Sequence, residues 1–176
     1  MMQPGERPSK AIKHQPSEAE DAFMRRAIEL SHQAMDEGTG PPFGAVIVRD
    51  GQVVAEGCNN SFTTNDPTAH AEVVAIRLAC EAVGSRFLKG CVIYSSSEPC
   101  PMCLGAIHWA GIERVHYAND RTTAAAAGFD DARLYREIAL PVEDRALPMV
   151  QQLADEAKAA FDLWQVRTRK DGPASG

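Results

Sequence analysis

His70 and Glu72 flank a single alanine, and further along the chain Cys100 and Cys103 flank Pro101-Met102. Zinc takes neutral imidazole and thiolate as ligands, with four protein ligands in a closed structural site and three plus water in a hydrolytic one. One histidine and two cysteines make a set that is open at the fourth position. Zinc lowers the pKa of a water held there to about 7. Glu72, beside a ligand but not needed as one, is a carboxylate suited to move that water's proton. A closed structural site would need a fourth ligand from Cys58, Cys80 or Cys91, and none of these has finger-like pairing with the others. A redox Cys-x-x-Cys would leave the His-x-Glu pair without a role. The three remaining cysteines read as plain free thiols, Cys80 and Cys91 in the core.

Two helix N-termini must present these groups. Asp66-Pro67-Thr68 starts a helix that the pattern carries to about Val83, with Val73, Ile76, Ala79 and Cys80 as its buried stripe. His70 and Glu72 fall in its first turn. Two positions apart on a regular helix they would diverge, so the pair is expected at a helix end that faces the metal. Cys91 to Ser95 is strand-like, and Pro99 to Pro101 turns the chain into a helix over about 101–110. Cys100 and Cys103 share one face of that helix start, where the positive helix end favours thiolate.

The rest of the chain alternates strand and helix. Ser17-Glu18-Ala19-Glu20 is a capping box opening a helix with Phe23, Ala27, Leu30 and Ala34 on one stripe, stopped by Gly38. Phe43 to Val48 is a strand, Asp50-Gly51 a hairpin turn, and Gln52 to Glu56 the returning strand. Residues 57–66 form a polar loop carrying Cys58, Asn59 and Asn60. Glu113 to Ala118 is a fourth strand, and Leu147 to Val150 is expected as a fifth. Short helices follow the fourth strand at 122–128 and 132–138, and a last helix spans Asp155 to Trp164. Alternating elements without a repeat or internal boundary argue for one α/β domain with helices on both faces of the sheet, over 17–152. A disordered tail of 1–16 precedes it, and a C-terminal helix and tail of 153–176 follow it.

The 176 residues suffice for one sizeable core. A net charge of −6 and a pI near 5.4 give no sign of a nucleic-acid partner. No stretch is apolar enough to span a membrane, and residues 1–15 lack the apolar segment of a secretory signal. With five cysteines, an odd count, two of them at metal spacing, a reducing cytoplasm is expected.

Outside the four signature residues, each candidate has a plainer alternative. Asn59 contacts substrate or makes a turn. Phe43 stacks on a ring or fills core. Asp130 and Asp131 act in a site or cap the following helix. Trp109 lies at helical spacing from the cysteines, as core or pocket wall.

His-x-Glu followed by Pro-Cys-x-x-Cys is similar to the signature of zinc nucleobase deaminases. The chain from Gly40 to about Glu137 resembles the bacterial guanine deaminases of the cytidine deaminase-like superfamily. The resemblance is carried by the runs Gly40 to Val48, Asn65 to Glu72, Glu98 to Ile107 and Gly128-Phe129-Asp130-Asp131. It implies a three-layer αβα fold with a five-stranded mixed sheet. It implies one zinc per chain on His70, Cys100 and Cys103, Glu72 as proton shuttle, and hydrolysis of guanine to xanthine and ammonia. It places Asn59 against the purine, Phe43 stacked on it and Asp131 near the leaving amine; Ala71 and Trp109 join these as candidate substrate contacts. It also implies a homodimer in which the C-terminal segment covers the partner's site. This chain departs at its end, 170–176, which has no tyrosine. The rival readings are a deaminase of another purine, a nucleoside or cytosine, a tRNA adenosine deaminase, and a zinc-stabilised binding protein, which would not need Glu72.

Overall fold

The computed structural model describes residues 15–171. The capping box forms as its spacing dictates: Ser17 Oγ accepts from the Glu20 N–H, and the Glu20 carboxylate accepts from the Ser17 N–H at 2.8 Å. It opens α1 (Glu18–Asp36). The chain continues through β1 (Gly44–Arg49), β2 (Gln52–Cys58), α2 (Ser61–Thr64), α3 (Ala71–Val83), β3 (Cys91–Ser97), α4 (Pro101–Ala110), β4 (Arg114–Asn119), α5 (Arg121–Ala126), α6 (Ala132–Ala139) and α7 (Ala154–Asp171).

The sheet order is β2-β1-β3-β4. β1 is antiparallel to both neighbours and β3 is parallel to β4, so the sheet is mixed. Side chains alternate across a strand, and the two resulting faces have separate cores. Ala45, Ile47 and Ile93 pack with Ala71, Ala75 and Ala79 of α3 and Ile107 of α4. Val46, Val48 and Tyr94 pack with Ala27 and Leu30 of α1. The result is the expected three-layer αβα arrangement, and α1 carries its expected stripe. Arg26 of α1 clamps Glu56 of β2 with two hydrogen bonds, 2.9 and 2.7 Å. Both partners are partly in water, so the pair contributes roughly 0.2–1 kcal/mol.

Three details differ from the sequence reading. The sheet has four strands among the described residues, not five. Leu147, Met149 and Val150 are exposed and pair with nothing as a strand. Pro148 in their midst has no N–H to give a ladder. Next, α3 begins at Ala71, not Asp66. The Asp66 carboxylate accepts from the Thr68 N–H (2.8 Å) and hydroxyl (2.6 Å), which holds 66–68 in a turn. Helical bonding starts only with Val74 N–H to His70 O. The expected polar loop, finally, contains the single turn α2. The tail expected over 1–16 lies outside the described residues except for its last two, and 172–176 lie outside as well.

Gly57 on β2 fixes how close α3 comes. A Cβ there would run into the Ala71 carbonyl and the Ala75 backbone nitrogen. With glycine, the first turn of α3 lies directly on the sheet. Among the described residues no helix is long and apolar enough to cross a membrane.

Candidate active site and zinc centre

His70 is the N-cap of α3 and Cys100 the N-cap of α4, both with extended backbone (ψ 154° and 168°). Neither side chain is used for capping. An extended N-cap projects its side chain past the helix end, which lets His70 and Glu72 aim at one point despite their spacing. Pro101 at the first helical position costs α4 no hydrogen bond, and Cys103 follows within its first turn.

The three donors converge. Cys100 Sγ lies 3.6 Å and Cys103 Sγ 3.5 Å from His70 Nδ1, and all three atoms lie within 4.8 Å of one another. Tetrahedral zinc with Zn–N near 2.0 Å and Zn–S near 2.3 Å requires N···S separations of about 3.5–3.6 Å. The residues therefore fit the ion, which His70 would hold through Nδ1. Hydrogen bonds from Cys103 and His70 bring Cys100 down to about 4. The hydrogen bond with Cys100, together with burial, pushes Cys103 well up. Cys100's hydrogen bond and charge raise His70. Zinc takes cysteine as thiolate, so its binding would be coupled to proton release.

Glu72 is buried, 5% exposed, and burial raises its carboxyl above the ordinary range. Ser95 of β3, itself 1% exposed, donates a hydrogen bond to Glu72 Oε1 at 3.2 Å. A cavity of about 300 Å³ opens in front of these groups, and its walls include Phe43, Asn59, His70, Glu72, Cys100 and Asp131. Phe43 meets Phe129 edge to face, centroids 5.0 Å apart. Asn59 is 2% exposed, and its Oδ1 accepts from Ser61.

The two aspartates divide the alternatives between them. Asp130 Oδ1 accepts from the Ala132 N–H at 2.9 Å and performs the capping. Asp131, at the N-cap position of α6, makes no side-chain cap bond and lines the cavity. Burial first, and then the Cys100 charge, raise its carboxyl. Two sequence candidates are not at the cavity. Ala71 is fully buried under the sheet, and Trp109 is 86% exposed on the outer face of α4. Residues that sequence reasoning passed over include Ser95, Ser61, Phe129 and Arg121. Serines within a strand whose other positions are apolar were the available signal for Ser95; Ser61 and Arg121 carry none.

These features define a zinc deaminase, and comparison with known proteins agrees. Residues 17–119 match the family model of the cytidine and deoxycytidylate deaminase zinc-binding region, and the chain belongs to that family. It is 51% identical over 145 residues to guanine deaminase of Bacillus subtilis, covering 82% of this chain and 93% of that one. The X-ray structure of the guanine deaminase from Bacillus subtilis superposes with a TM-score of 0.80, covering 82% and 92% of the two chains. A tRNA-specific adenosine deaminase of Agrobacterium fabrum is 50% identical over 95 residues, 54% of this chain and 62% of that one.

Proposed function

We propose that the chain hydrolyses guanine to xanthine and ammonia, with one zinc per chain on His70, Cys100 and Cys103. The observation that carries this reading is the convergence of three zinc donors, a buried carboxylate and the uncapping Asp131 on one cavity with an aromatic wall. The similarity to guanine deaminase across nearly the whole of that relative supports the choice of base. Zinc, when bound, polarises water and lowers its pKa. Glu72 takes a proton from the water whose oxygen is added at C2 and returns it to a ring nitrogen. The proton left on the added oxygen then passes to the exocyclic 2-amino nitrogen, the bond from C2 to that nitrogen breaks, the oxygen becomes the 2-oxo group, and ammonia leaves near Asp131. Phe43 and Phe129 supply apolar surface for the flat base, and Asn59 contacts its edge.

The domain spans 17–152. The segment from 153 onward closes the site of a second copy in a homodimer. Supporting this, Leu153, Phe161 and Trp164 are 70%, 70% and 61% exposed on a single chain, so these large apolar groups are not covered by the chain's own sheet. No nucleic acid or membrane partner is involved, and the enzyme works in the cytoplasm.

The test is ammonia release by the zinc-loaded protein from guanine, guanosine, other aminopurines, cytosine and a tRNA containing the target adenosine. Guanine is expected to be the preferred substrate by at least about a hundredfold in kcat/KM, well within the roughly 10⁴–10⁵-fold that a hydrogen-bonding site attains. Preference for tRNA or cytosine would replace this reading with the corresponding branch of the family.

A further inference from the structure

Ser95 stands where the core would take an apolar side chain. It follows Cys91 and Ile93 at the two-residue period of β3, and both of those are fully buried in the core shared with α3 and α4. Its backbone is flanked on both sides, opposite Ala45 of β1 and Tyr117 of β4. A hydroxyl that is 1% exposed costs stability unless it is hydrogen-bonded. Its partner is Glu72 Oε1 at 3.2 Å. Glu72 comes within reach because the first turn of α3 lies on the sheet over Gly57. The bond is longer than the usual O–H···O distance, as bonds of a catalytic group commonly are before substrate binds.

An ionised carboxylate only accepts, so the hydroxyl donates. The last torsion of a glutamate is broad and roughly two-fold, so an unheld carboxylate turns easily and its two oxygens exchange places. Ser95 donates to Oε1 from a strand paired along both edges. That contact fixes the plane of the carboxylate and occupies Oε1, which leaves Oε2 as the oxygen that serves the cavity.

We infer that Ser95 is a positioning residue for the proton transfer, holding Glu72 so that one oxygen, Oε2, takes the proton from the attacking water and gives it up to the ring nitrogen. This rests on the proposed deamination and deepens it. The carboxylate is regenerated in each turnover, and Ser95 keeps its own proton throughout. Ser95 does not line the cavity and is not one of the zinc donors. Its effect therefore belongs in kcat, and not in KM or in zinc content.

Thr and Val differ at this position only in a hydroxyl against a methyl group, so the pair separates chemistry from packing. Wild type, Ser95→Thr and Ser95→Val are assayed on guanine at equal zinc content, each also in a Glu72→Gln background. Ser95→Thr should turn over close to wild type. Ser95→Val should lose at least about tenfold in kcat, the worth of one hydrogen bond to a charged group, with KM nearly unchanged. In the Glu72→Gln background the same change should cost nothing further, because residues that act as a unit are not additive. A packing role predicts otherwise: Val, which buries no hydroxyl, would do at least as well as Thr. Equal turnover by Ser95→Thr and Ser95→Val, or the same loss for Ser95→Val in both backgrounds, would overturn the inference. If the added bulk prevents both from folding, Ser95→Ala is compared with wild type in the same two backgrounds and judged by the same outcomes. If wild type releases no ammonia from guanine or the other bases, the proposed function fails on its own. The hold on Glu72 is then read by carboxyl carbon NMR, with the Glu72 signal identified by its loss in Glu72→Gln. The signal should move in Ser95→Val and stay in Ser95→Thr, and equal positions in the two would overturn the inference.

Discussion

Glu72→Gln isolates proton transfer from everything else the residue does. Gln has the same length, and its Oε1 can still accept the Ser95 hydrogen bond that now spans 3.2 Å. His70, Cys100 and Cys103 are untouched, so zinc should remain at about one per chain. What disappears is a group able to take a proton from water and return it to the ring. General acid–base catalysis contributes about 10²–10⁴-fold, equivalent to about 2.7–5.4 kcal/mol of barrier at 1.36 kcal/mol per decade. Stability should move the other way or not at all. Glu72 is a buried carboxylate whose charged form burial disfavours, and a neutral amide avoids that cost. For a chain of 176 residues a change of 1 kcal/mol shifts the melting temperature by about 2–4 °C, so the variant should melt within a few degrees of wild type or slightly higher. The assay is ammonia release from saturating guanine, with elemental zinc and a thermal melt on the same sample. A zinc-loaded variant turning over within tenfold of wild type would refute the shuttle role. Loss of zinc from the variant would show that Glu72 serves the metal instead.

Cys103→Ala should hold far less than one zinc per chain, since it removes a donor that lies 3.5 Å from His70 Nδ1; undiminished zinc by elemental analysis would break the proposed ligand set. Asp131→Asn should keep its melting temperature, because Asp131 makes no cap bond that could be lost, yet lose guanine turnover by at least about tenfold. Unchanged turnover would return Asp131 to a turn residue. Truncation after Asp155 removes Phe161 and Trp164, which are 70% and 61% exposed on the single chain, so the core should stay folded and zinc-loaded. Guanine turnover and the dimeric mass should be lost. A truncated protein that is soluble and fully active would rule out the closing role.

The sequence by itself determined the zinc donors, because metal coordination demands particular atoms and few residue types supply them. It also determined the layered α/β fold, because the strand and helix periods of its apolar residues differ and both are unbroken through the core elements. Local chemistry was legible too: the capping box at Ser17, the hairpin at Asp50-Gly51 and the start of α4 at Pro101 all depend on neighbours within four positions. The tertiary structure decided what depends on residues far apart in the chain. His70 and Glu72 were expected at a helix end, but where that end falls was decided by Asp66, which spends its carboxylate on Thr68 and so delays the start of α3 to Ala71. The competition between capping and site roles at Asp130 and Asp131 turned on which side chain reached the Ala132 N–H first. The strand expected at 147–150 failed because a strand exists only where another strand receives its hydrogen bonds, and apolar spacing alone does not report a partner. Trp109 shared a helix with the cysteines, but α4 turns it outward. Ser95 reaches Glu72 through a strand register, and Ser61 and Phe129 reach the cavity through a one-turn helix and a loop. Such placements are set by the packing of the whole sheet, and no short-range pattern encodes them.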